Sequence, residues 1–196
     1  MSEQIFTKPI TIETVEKNSR FIGFGSPCAN QDEFNQFLQD LKSEYRDASH
    51  HTFAYHIRDH GTAQIRASDD GEPSGTAGKP ILNHLQGNRL INTAIVVVRY
   101  FGGIKLGAGG LVRAYGNCAR EVIQAAQIEP YIEQVPIAFS LAYDQQRHLE
   151  YCLERAGGSV ISTEYTQHMK CWVQIPKDHV EDFLGLLGLD RDEVSF

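Results

Sequence analysis

No apolar run in the sequence approaches the length needed to cross a bilayer, so no transmembrane helix is expected. The first residues include Glu3 and Gln4 where a secretory signal would place a basic and then an apolar stretch, which points to a cytoplasmic protein. Cysteine is sparse. Cys28, Cys118, Cys152 and Cys171 stand far apart with no C-x-x-C pair, which argues against a zinc knuckle and a dithiol redox centre and makes them core thiols. Acid is missing from one long window: from Pro73 to Arg120 there is no Asp or Glu, against six basic residues, Lys79, Arg89, Arg99, Lys105, Arg113 and Arg120. The net charge of −7 argues against nucleic-acid binding by the whole surface. The acid lies elsewhere, at Asp69, Asp70 and Glu72 just before the basic window, and in residues 134–196 with ten acidic against five basic side chains. A cationic middle and an acidic final third predict two domains facing different partners, and 196 residues suffice for two small cores.

The organising stretch is 95–126. Ile95, Val96, Val97 and Val98 form a β-branched run suited to a strand buried on both faces, ending at Arg99. Gly102, Gly103, Gly107, Gly109 and Gly110 then crowd a short turn, and Leu111, Tyr115, Cys118, Ala119, Val122 and Ala126 recur at helical spacing. An uncapped helix start between Lys105 and Arg113 outlines an anion site. The named phosphate motifs fail position by position. A dinucleotide fingerprint from Gly107 would need glycine at Val112, and Lys79 is followed by Pro80 where a Walker lysine needs Ser or Thr. The glycines alternatively serve only a tight crossover.

Before this stretch, strands are predicted at 10–15, 21–25 and 52–57, with a helix capped by Asn30 or Asp32 and striped by Phe34, Phe37, Leu38, Leu41 and Tyr45. His50, His51, His56 and His60 cluster along the third strand and its loop, where only some share a face, so surface or hydrogen-bonded histidines are expected ahead of a metal site. Residues 58–78 read as a long polar loop, and Thr76 as the cap of a following helix. Asp69, Asp70 and Glu72 within that loop need a counterweight: Mg²⁺, Arg99 or Arg113, backbone amides, or simple solvation. After a linker near 129–135, bounded by Pro130 and Pro136, the order is strand, helix, strand, strand, helix, with a short last strand near Val194. Gly157 and Gly158 stop the first of these helices, and the layout is ferredoxin-like. His148, His168 and His179 are isolated.

Ser19-Arg20-Phe21-Ile22, Asp47-Ala48-Ser49-His50, the 69–80 loop and the 97–116 stretch together resemble the YigZ/IMPACT family. The resemblance spans nearly all of 1–133. It implies an α+β fold of two domains: 1–133, similar to the second domain of ribosomal protein S5 with a four-stranded sheet backed by helices, and 134–196, similar to a carboxy-terminal domain of elongation factor G. Eukaryotic members act in translational control during amino-acid starvation, by competing for an activator of the starvation kinase. Two functions follow as expectations. One is a translation-associated regulatory binding protein touching RNA, the ribosome or a translation factor through Arg99, Lys105, Arg113, Lys79 and the glycine-loop amides. The other is a Mg-dependent enzyme acting on a phosphorylated small molecule or nucleotide, with Asp69, Asp70 or Glu72 on the metal and His50 as acid or base. The sequence carries no established cofactor, and no membrane partner is expected; neither catalytic residues nor oligomeric state can be read from it.

Overall fold

A computed structural model describes residues 2–59 and 62–196 and divides the chain into two units, Met1–Tyr131 and Ile132–Phe196. His60 lies outside the described residues. The architecture is α+β.

In the first unit, β1 (Gln4–Phe6) is followed by β2 (Ile10–Glu16) and β3 (Ser19–Pro27), a hairpin whose turn puts Lys17 and Asn18 at positive φ. Next is α1 (Gln31–Glu44). Asn30 caps it by accepting from the Glu33 N–H at 2.9 Å, while Glu33 reaches back to the Ala29 N–H at 2.8 Å. Then come β4 (His50–Asp59), β5 (Thr62–Ser68), α2 (Gly78–Gly87), β6 (Thr93–Tyr100), α3 (Ala108–Ala125) and β7 (Ile128–Pro130). Five strands form one antiparallel sheet in the order β2-β3-β6-β4-β5, and β1 pairs with β7 apart from it.

Two expectations need correction here. The 58–78 loop contains a strand, β5, so the sheet has five strands rather than four. Thr62–Ser68 carries no buried apolar alternation because it is an edge strand held by its ladder to β4, so periodicity could not reveal it. The central strand also runs on through Arg99 to Tyr100.

Alternation along β6 sends Ala94, Val96 and Val98 to a core with Phe34 and Leu41 of α1, and Ile95 and Val97 to a core with α2 and α3. The sheet is thus covered on both sides, which is why the valine run is apolar throughout. Alternation carries Arg99 onto the α2/α3 side.

The second unit comprises β8 (Gln134–Leu141), α4 (Gln146–Ala156), β9 (Ser159–Tyr165), β10 (Met169–Pro176) and α5 (Val180–Leu187). Its sheet is antiparallel in the order β8-β10-β9, and Ser195 bridges to Ala138 of β8 through paired backbone hydrogen bonds of 2.8 and 2.9 Å. Ile137, Phe139, Leu141, Cys171, Val173 and Ile175 pack against Leu149, Leu153, Phe183 and Leu184 of the helices. Gly157 ends α4 at φ 67°, the left-handed cap its sequence predicts. His148, His168 and His179 are exposed.

Candidate functional site

Register sets the site. Phe21 on β3, Arg99 on β6 and His50 on β4 lie side by side across the three central strands. Arg99 is only 5% exposed. A buried guanidinium demands a counter-charge, and Glu72 supplies it from the loop between β5 and α2, with Arg99 Nη1 donating to Glu72 Oε1 at 2.5 Å. The same oxygen accepts from the Tyr115 hydroxyl of α3 at 2.7 Å, and His50 Nε2 stands 3.8 Å away. Arg99 also donates to Ser19 Oγ at 3.3 Å and lies over the rings of Phe21 and Phe101, at 5.4 and 5.6 Å. Burial, followed by the Glu72 carboxylate, pushes the Tyr115 hydroxyl far above its ordinary range, so it stays a proton donor.

The other two carboxylates point elsewhere. Asp69 Oδ1 accepts from the N–H groups of Ala77 and Gly78, both at 2.9 Å, and Oδ2 from Gly75 at 2.7 Å. Asp69 is therefore the cap of α2. Thr76, expected in that role, instead donates its hydroxyl to the Pro73 carbonyl at 2.6 Å. Asp70 accepts from the His51 N–H at 2.6 Å, its carbonyl meets His50 Nδ1 at 2.8 Å, and Lys42 lies 3.9 Å from its carboxylate. Of the counterweights anticipated, amides and Arg99 are the ones used. The three side chains face three different sets of partners, and among the described residues no three His, Cys, Asp or Glu side chains gather as a metal site.

Glu72 and Arg99 form the polar floor of a cavity of about 350 Å³, walled by Pro73, Phe101, Leu106, Leu111 and the start of α3 at Gly107 and Ala108, with Lys105 at its edge. The acidic loop and the glycine loop therefore meet in one place. Gly102 is needed where the chain passes the β2–β3 turn, since a Cβ there would lie 2.1 Å from the Asn18 carbonyl. Gly103 and Gly107 hold positive φ, and Gly109 and Gly110 occupy the first turn of α3. That turn has neither a side-chain cap nor an acidic residue. Lys105 and Arg113 are exposed, Arg113 one turn along α3 and outside the cavity wall, while Lys79 is exposed in the first turn of α2. Tyr115 and Ser19 were legible only as a core position and part of a motif. Their role as hydrogen-bond partners depends on the buried Arg99.

His51, paired with Val98 and so on the α1 side of the sheet, is buried, its Nε2 without a hydrogen-bond partner among the described residues. Burial lowers its pKa below the ordinary 6.5, with Lys42 and His50 acting the same way and Asp70 opposing. His84 is lowered likewise, by burial and then Arg120. The folded chain thus binds these protons less tightly than the unfolded chain. Stability should be intact above pH 6.5 and fall below it, by at most about 1.4 kcal/mol per pH unit for each proton. Urea unfolding from pH 7.5 to 5 checks this, and His51→Gln should reduce the slope; an unchanged slope would remove His51 as a contributor.

Among the described residues no helix is long and apolar enough to cross a membrane. Residues 17–123 match the family model for the Impact N-terminal domain. The chain is 34% identical to an IMPACT family member of Haemophilus influenzae, over 93% of this chain and 90% of that protein. It is 33% identical to the IMPACT family member YigZ of Escherichia coli, over 92% and 89%. A crystal structure of a hypothetical protein superposes with a TM-score of 0.71 at 31% identity, covering 99% of this chain and 95% of that one.

Proposed function

The chain belongs to the IMPACT family, and on that premise we propose that it is a translation-associated regulatory binding protein that contacts RNA, on the ribosome or with a translation factor, through the glycine-rich loop. One observation carries the reading: the start of α3 is uncapped and flanked by exposed Lys105, while every nearby carboxylate is already engaged. Such a helix start attracts phosphate, and Lys105 and Arg113 add point charges to it. The Mg-dependent reading of the same residues would require Asp69, Asp70 or Glu72 to leave amides or a buried arginine, at considerable cost.

The finer fold relationships belong to the same proposal. We take 1–133 as the family domain, similar to the second domain of ribosomal protein S5, and 134–196 as a ferredoxin-like domain similar to the carboxy-terminal domain of elongation factor G. The order Ser195, β8, β10, β9 across the second sheet supports the latter.

RNA affinity should fall steeply with salt. Changing Lys105 and Arg113 together to Ala should flatten the slope of log K against log[salt] by roughly two, as two phosphate contacts disappear. A slope equal to the parent's would leave both cations without a phosphate to neutralise, and the reading would fail.

A further inference from the structure

The cavity beside α3 has properties that phosphate contact alone does not use. Its walls are mainly apolar, formed by Pro73, Phe101, Leu106 and Leu111. Phe101 and Ile104, flanking the glycine pair, are 49% and 48% exposed, although large apolar side chains gain by being covered. At the floor, Arg99 is almost wholly buried, and its Nε–H has no hydrogen-bond partner among the described residues. That atom is itself sealed from solvent, so what the cavity offers a ligand is its apolar wall and its cationic rim.

Resting on the RNA reading above, we propose that this cavity receives one unstacked base of single-stranded RNA, with its phosphate on the first N–H groups of α3 and Lys105. The volume of about 350 Å³ suits one nucleotide. Phe101 holds one face against the Arg99 guanidinium, and its exposed remainder offers a stacking surface. Duplex RNA cannot use these features. Its bases are stacked and paired, so it would meet only the cationic rim and leave the apolar walls uncovered.

The test is fluorescence anisotropy with labelled oligouridylate, single-stranded and paired with oligoadenylate, at matched salt. The full chain should bind the single strand at least tenfold more tightly. Phe101→Ala, which removes the stacking face, should cut that preference by roughly tenfold, and Ala108→Leu, which fills the cavity mouth without altering charge, should do the same. Both positions are exposed, and circular dichroism verifies that the variants remain folded. Equal affinity for single strand and duplex, or a preference indifferent to both variants, overturns the base pocket while leaving the salt-dependent RNA reading in place. Binding of neither probe at low salt overturns both.

Discussion

Replacing Glu72 with alanine is expected to destabilise the first unit by roughly 3–5 kcal/mol, because it leaves the buried Arg99 charge without a partner. The Tyr115 hydroxyl, itself fully buried, loses its acceptor at the same time. Urea unfolding followed by far-UV circular dichroism measures the loss. Trp172, the single tryptophan, lies in the second unit and gives that unit its own fluorescence signal. The complementary experiment replaces the whole network with apolar side chains, Glu72→Leu with Arg99→Met and Tyr115→Phe. Most of the stability should return, since buried ion pairs exchanged for well-packed apolar groups are often near neutral. A loss below about 1 kcal/mol for Glu72→Ala, within the range of an exposed pair, would mean that Arg99 is hydrated and that the network does not hold the loop.

The second large effect belongs to Asp69. Asp69→Ala should cost roughly 2–4 kcal/mol, since the start of α2 loses its cap and three backbone donors lose one acceptor group together. Asn should be intermediate, because its single carbonyl oxygen can keep Ala77 and Gly78 but presents an amino group to Gly75. The pH dependence has a definite sign. Burial raises the Asp69 pKa, but the hydrogen bonds from Gly75, Gly78 and Ala77 outweigh it, and the net value is below the ordinary 3.8. Its contribution is therefore complete above about pH 4 and disappears as the pH falls through the lowered value. The stability gap between parent and Asp69→Asn should narrow only in that acid range. A gap of the same size at pH 2 and pH 7 would show that shape, not charge, does the capping.

These two residues also show why the site was only half legible. Three carboxylates followed by a long acid-free window announced that something had to neutralise them, and amides and Arg99 were among the options open. Which carboxylate took which partner was undecided, because that depends on the register that places Arg99 between Phe21 and His50. Thr76 had the right chemistry for a cap one residue before Ala77, yet Asp69 reached the helix start from farther back in the chain. Such a contact has no periodic signature. β5 escaped for the opposite reason, as an edge strand can be held by backbone pairing while its side chains remain polar.

Local chemistry fixed the elements whose cause is local. The valine run became the central strand, the apolar stripe after the glycines became the buried face of α3, and Gly157 closed α4. Each follows from periodicity or a backbone conformation available to one residue type. The tertiary structure decided what the charged residues are for. Arg99, read from the sequence both as a phosphate contact and as a counterweight to the carboxylates, is buried by strand alternation and paired with Glu72, whereas Lys105 remains exposed beside an uncapped helix. The same positive charge became structural in one place and available in the other, because desolvation is set by which elements fold over a side chain, and no local pattern records that.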